Sequence, residues 1–302
     1  MSPVNRREFI RDIAVAGSAA LAAVGTAAPL NSAGTQAGGQ GERKFKISLA
    51  AWSLHKTFGR TWYNLDLPRI CREDFGLDGL EFVSIFFDLP SYQYLRELKR
   101  RAEHNGVNML MIMVDSEGDM SHPDRKERVQ AATNHRKWLD IAHFLGCRSI
   151  RCNFGYNQVG TPDERVDRAA ESFNRLLEYS GGSGLNILIE NHGGVSSMPD
   201  KLISLMKKID NPRFGTLPDF GNFTEVDKYE GVKALLPYAG AVSAKCYDFE
   251  PDGSHKPYDL DRMMEIVLAS GYRGYVGIEF EGLYQDEWEG VLACKQILER
   301  HQ

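Results

Sequence analysis

Residues 187–193 read ILIENHG, an apolar run that stops abruptly on Glu190, Asn191 and His192. A lone carboxylate buried behind such a run loses its hydration, so it needs either a surface position or a partner. The pattern recurs at TLPDFGN (216–222) and YVGIEFEG (275–282), where apolar runs end on Asp219 and Glu279. Three such endings in one chain point to one shared site. Outward from these stretches, from residue 44 onward, short apolar runs alternate with longer segments of helical period, the pattern of repeated βα units on a parallel sheet. Strands are expected over 45–52, 77–82, 107–114, 147–153, 186–191, 213–219, 241–245 and 275–280. Helices are expected near 66–74, 91–104, 124–145, 163–180, 199–209, 229–236, 258–270 and 287–300. Thr161-Pro162-Asp163 reads as a helix start, and Gly106, Gly146 and Gly271 as positions just past helix ends. Eight such units within 44–302 make an α/β chain of the size of a single-domain (β/α)8 TIM barrel. An open doubly wound sheet is the competitor, but no G-x-G-x-x-G follows an early strand.

In a barrel the functional side chains stand at the C-terminal strand ends. The polar endings line up there: Trp52 and His55, Glu81, Asp115 and Glu117, Arg151 and Asn153, Glu190 and His192, Asp219 and Asn222, Lys245, Glu279 and Glu281. Of the 302 residues 42% are hydrophobic and 25% charged, and the net charge is -5 with no Lys/Arg-rich run. Nucleic acid is therefore not the expected partner, and a small molecule is. The five cysteines, 71, 147, 152, 246 and 294, are scattered without a CxxC and read as small buried hydrophobes, with a Cys147–Cys152 bridge left open. The sequence also leaves homo-oligomerisation open.

The first residues are different material. NRREFIRD is followed by the weakly apolar IAVAGSAALAAVGTAAPL and then by a Gly/Ala-rich stretch. This resembles a twin-arginine export signal, with an apolar run too short to serve as a stable membrane anchor. Residues 1–36 are read as signal and leader; without their three arginines and two acids the charge becomes about -6. A soluble periplasmic protein is expected, exported already folded around any metal acquired beforehand.

Several carboxylates at one water-poor mouth repel one another and raise one another's pKa unless a cation lies among them. Oxygen-rich ligation favours Mn²⁺, Mg²⁺ or Fe²⁺, with zinc better suited to Cys/His sets. The order strand-Glu190, strand-DFGN (219–222), strand-AK (244–245) and strand-IEFEG (278–282) resembles the xylose isomerase-like TIM barrel superfamily, in its sugar phosphate isomerase/epimerase branch, over roughly residues 45–300. The resemblance implies one divalent metal, Mn²⁺ first, on a Glu after strand 5, an Asp after strand 6, a His after strand 7 and a Glu after strand 8. Glu190, Asp219 and Glu279 match three of these. Ser243 stands at the His position, so the fourth place falls to a water, to His255 from the following loop, or to the ammonium of Lys245. Asn222 likewise stands where the family's Asp-x-x-His pattern has its substrate-contacting His.

The resemblance further implies proton transfer beside a carbonyl, with Glu190 and Glu279 exchanging protons on opposite sides of a sugar and Lys245 donating to the developing oxyanion. Trp52, Glu81, Arg151, His192 and Asn222 are the expected substrate contacts. The bland alternatives are a buried salt bridge for Glu190 and Glu279, a turn role for Asp219 and a satisfied loop histidine for His192. The leading expectation is a metal-dependent isomerase or epimerase of a free carbohydrate, because the loops after strands 7 and 8 are acidic and lack a Gly-rich phosphate cradle. A lyase that eliminates the aglycone of a 3-keto-glycoside needs the same first step and is the runner-up. A non-catalytic periplasmic sugar-binding protein is the alternative of another class.

Overall fold

A computed structural model describes residues 43–302; the export signal read over residues 1–36 lies outside the described residues. The strands are β1 (Lys46–Ala50), β2 (Gly79–Val83), β3 (Asn108–Val114), β4 (Ser149–Cys152), β5 (Asn186–Glu190), β6 (Phe214–Leu217), β7 (Val242–Cys246) and β8 (Tyr275–Phe280). All pairings between them are parallel, in the order β6-β5-β4-β3-β2-β1-β8-β7. Both faces of such strands are covered, which is why β3 can read as the nearly unbroken apolar run NMLMIMV. Each strand begins or ends one or two residues inside its expected span, except β8, which coincides with it, β2, which starts two residues later and ends one residue later, and β7, which is shifted by one.

The ring closes between β6 and β7 through isolated bridges, Thr216 to Ala239 and Asp219 to Ser243. Pro218 lacks an N–H, so no regular ladder can run through it. Its carbonyl still accepts from Ser243 N at 2.9 Å, while Phe220 N donates to Ser243 O at 3.1 Å. The seam therefore falls at Asp219, and the closure itself sets that residue beside β7.

Helices cover the outside, among them Tyr92–Asn105, Arg125–Leu145, Pro162–Tyr179 and Glu287–Glu299. Thr161 opens Pro162–Tyr179 with a reciprocal cap: its Oγ1 accepts from Glu164 N at 3.2 Å, and Glu164 Oε2 accepts from Thr161 N at 2.7 Å. Gly106 and Gly146 end two other helices at φ 63° and 82°, left-handed values that cost a side chain energy and glycine little. All five cysteines are buried free thiols, so no Cys147–Cys152 bridge is present. Among the described residues no helix is long and apolar enough to cross a membrane.

Candidate active site

Alternation along the strands turns Ser243 and Lys245 of β7, and Gly277 and Glu279 of β8, to the same interior face. Register sets Lys245 beside Glu279 and Ser243 beside Gly277. Glu190 ends β5, and Asp219 follows β6 directly across the seam. Glu190, Asp219 and Glu279 each offer one carboxylate oxygen, and these three oxygens lie within 4.8 Å of one another. The structure thus brings together the three acids that ended the quoted apolar runs.

Each neighbour of these acids has a definable task. Asn191 completes the answer to why ILIENHG turns polar: its Oδ1 accepts from Asp219 N at 2.8 Å and its Nδ2 donates to Asp219 O at 3.0 Å. The side-chain amide replaces the strand neighbour that β5 no longer provides, so the Asp219 backbone is fully bonded although buried. Asp219 Oδ1 in turn accepts from Gly221 N and Asn222 N, both at 2.8 Å. Only glycine fits in that turn, because a Cβ at 221 would meet Tyr247 Oη at 2.8 Å and Lys245 Cδ at 2.9 Å. Asn222 then donates to Glu190 Oε1 at 3.0 Å, and its own Oδ1 accepts from Lys245 Nζ at 3.3 Å.

Ser243 Oγ lies 2.9 Å from Asp219 Oδ2 and 2.8 Å from Glu279 Oε2. One hydroxyl carries one proton, so it can donate to only one of these oxygens. The other contact is favourable only when that carboxyl is itself protonated. Burial first, then repulsion from Glu190 and Glu279, pushes Asp219 up to about 7 against the pull of Lys245. Burial raises Glu279 too, but Lys245 and Arg151 outweigh it and hold Glu279 below the usual carboxylate range. Glu190 is pushed up to about 7, by burial first and by Glu279, against Arg151. Metal-free, the cluster is short of positive charge.

Two cations are already committed to it. Arg151 Nη1 lies 2.7 Å from Asp115 Oδ1, and its Nε lies 2.9 Å from Glu190 Oε2. The second contact is Coulombic only, since neither Arg151 Nε nor Glu190 Oε2 has an aligned hydrogen-bond partner. Lys245 Nζ stands 3.3 Å from Glu281, 3.6 Å from Glu279 and 3.9 Å from Asp219. Burial favours the neutral amine, but Glu279 and Asp219 prevail and keep it charged.

The donor set fits a hard divalent ion. It consists of carboxylate oxygens of three buried acids, and one carboxylate oxygen of Glu190, Oε2, is fully buried and lacks a hydrogen bond. Glu190, Asp219 and Glu279 would hold such an ion.

His255 is not part of this group. Its Nε2 accepts from Tyr247 N at 2.9 Å and its Nδ1 faces Tyr258 O at 3.0 Å, so both nitrogens are used to fold the loop after β7. As a metal ligand it is thus corrected to a loop anchor. Arg151, expected to grip substrate, is spent on Asp115 and Glu190. Glu81 reaches back to Ser48 Oγ at 2.6 Å and packs against Gly277, one register layer below Glu279. Trp52 does lie at the mouth, but it is stacked on His55 (4.7 Å) and Phe86 (5.7 Å) and donates to Glu281 at 2.7 Å. His192 pairs with Tyr156 Oη at 3.1 Å.

Glu81 also makes any side chain at 277 costly. A Cβ at 277 would lie 2.6 Å and 2.8 Å from its two carboxylate oxygens. Gly277→Ala is expected to cost about 1–3 kcal/mol through overpacking, read as a fall of several degrees in the thermal midpoint at unchanged helix content.

The chain belongs to the xylose isomerase-like TIM barrel family, whose model matches residues 72–293. No curated protein matches it in sequence. Among solved structures it is similar to a 3-keto-D-glucoside 4-epimerase from E. coli, at 15% identity and TM-score 0.69, covering 85% of this chain and 99% of that one. A D-allulose 3-epimerase from Methylomonas sp. aligns at 14% identity and TM-score 0.69, covering 86% and 99%. An IolI protein with a bound zinc atom aligns at 15% identity and TM-score 0.68, covering 85% and 98%. At these identities the likeness concerns the fold.

Proposed function

We propose that the protein is a metal-dependent isomerase or epimerase of a free, non-phosphorylated sugar, working by proton transfer beside a carbonyl. The observation that carries this reading is the buried triad Glu190, Asp219 and Glu279 at one barrel mouth, with Glu190 Oε2 left without a hydrogen bond. Epimerases among the structures of like fold agree with it. A divalent ion on the triad, Mn²⁺ by preference, supplies Lewis-acid polarisation of the carbonyl. Glu190 removes the proton from the adjacent carbon, and its raised pKa suits a base working near neutrality. Glu279, held ionised by Lys245 and Arg151, takes up a proton from solvent or from a substrate hydroxyl and returns it to the carbon from the other side. Lys245 stabilises the charge that builds on the carbonyl oxygen, and His192, Asn222 and Trp52 line the approach. The twin-arginine pattern of residues 1–36 supports a periplasmic setting for this activity.

The preference for a free sugar has a structural basis. The backbone N–H groups of Leu283, Tyr284 and Gln285 after β8 form the kind of anion nest that takes phosphate in barrels. Here they donate at 2.9–3.0 Å to the carboxylate of Asp248. A phosphate would have to displace a built-in anion.

A 3-keto-glycoside lyase is the second reading. It is favoured by the exposed apolar side chains Tyr63, Ile85, Tyr156, Leu283 and Tyr284 on the loops after β1, β2, β4 and β8, which suit an aglycone. Incubation of the Mn²⁺-loaded protein with a panel of free ketoses and 3-keto-glycosides, with product analysis, tests both. An epimeric or isomeric sugar supports the first reading and a released aglycone the second. No turnover of any member, with the metal bound, sinks both in favour of a binding protein.

A further inference from the structure

We infer that Lys245 sets the affinity of the carboxylate centre for its metal, because its ammonium and a divalent ion compete for the same oxygens. The inference rests on the metal reading above. Three sides of the centre are formed by Glu190, Asp219 and Glu279, and Glu190 and Asp219 are completely buried. The side facing β7 holds Ser243, whose hydroxyl is already spent between Asp219 and Glu279. Above it the Lys245 side chain, 2% exposed, brings Nζ to 3.9 Å from Asp219 Oδ2 and 3.6 Å from Glu279 Oε1. Two of the three metal-binding carboxylates thus face a fixed positive charge. An ammonium at that range opposes a second cation on the same oxygens, and in a buried site little solvent weakens the repulsion.

Glu190 Oε2 has a cation of its own, Arg151 Nε at 2.9 Å, but without an aligned hydrogen bond and on a guanidinium that also holds Asp115 at 2.7 Å. The centre thus has a cation on each side, Arg151 at Glu190 and Lys245 at Asp219 and Glu279, and only Lys245 faces two of the three acids. Glu281 controls how far that cation leans inward. Its Oε1 accepts from both Lys245 Nζ, at 3.3 Å, and Trp52 Nε1, at 2.7 Å, so it draws the ammonium toward the mouth.

Two variants move the affinity in opposite directions. Lys245→Met removes the competing charge and is expected to tighten Mn²⁺ binding at least tenfold. Glu281→Gln removes the outer attraction, leaves the ammonium on Asp219 and Glu279, and is expected to weaken binding several-fold. Calorimetric titration of Mn²⁺ into the wild type and both variants reads the effect without any activity assay, with circular dichroism to check folding. Binding in the wild type with Lys245→Met no tighter overturns the inference alone. If Lys245→Met does not fold, Glu281→Gln decides: unchanged or tighter binding there overturns the inference. Failure of every protein to bind Mn²⁺ overturns the inference and the metal reading together.

Discussion

Glu190→Gln is expected to lower turnover by roughly 10²–10⁴-fold, the usual weight of a general base, while leaving the fold intact. The substitution keeps an oxygen able to accept from Asn222 Nδ2, which now bonds Glu190 Oε1 at 3.0 Å. Arg151 retains Asp115 at 2.7 Å, so no cation is orphaned. What disappears is the negative charge and basicity of a carboxylate that burial has tuned to about 7. Steady-state kcat with near-UV circular dichroism checks the effect, and a variant within twofold of wild type would remove Glu190 from the mechanism.

Arg151→Met is expected to be the most damaging single change to stability. It leaves Glu190, 0% exposed, without its close cation, and strips Asp115 of its strongest partner. Removing one partner of a buried pair costs about 3–5 kcal/mol, which for a domain of this size lowers the melting midpoint by roughly 10 °C. Added Mn²⁺ should restore part of the loss, because an ion bound only by the folded state stabilises it and also neutralises Glu190. A midpoint unchanged in metal-free buffer would show that Arg151 is not what offsets the buried charge.

The barrel was readable because its signals are local and repeated. A buried parallel strand is an apolar run, a helix announces itself through caps such as Thr161 and Gly106, and eight alternations in one chain of this length admit few architectures. The three acids were readable for the same reason, since each breaks an apolar run at a strand's C-terminal end. What escaped depends on contacts across the ring. Asn191 stood in the quoted stretch, yet its pairing with the Asp219 backbone becomes visible only when β5 and β6 lie side by side. Ser243 looked like the loss of a ligand and is a hydroxyl shared by two carboxylates.

His255 was misplaced because a loop of thirteen residues after β7, 247–259, leaves the direction of an imidazole open. Local bonds to Tyr247 and Tyr258 decide it, and these carry no pattern in the sequence. Arg151 and Glu81 were expected at the mouth as substrate contacts; Arg151 meets Asp115 and Glu190 instead, and Glu81 turns down to Ser48 and Gly277. A strand residue's neighbours inside a barrel come from register, which periodicity alone does not fix.

The account stands or falls on proton transfer beside a carbonyl. The most direct measurement is deuterium incorporation by NMR during turnover of a ketose substrate in D₂O by the Mn²⁺-loaded protein, with a chelated sample alongside. The expected result is solvent deuterium at the carbon adjacent to the carbonyl, abolished by chelation. Product formed without any deuterium would contradict it, because the hydrogen would then have moved within the substrate and Glu190 and Glu279 would not be carrying protons.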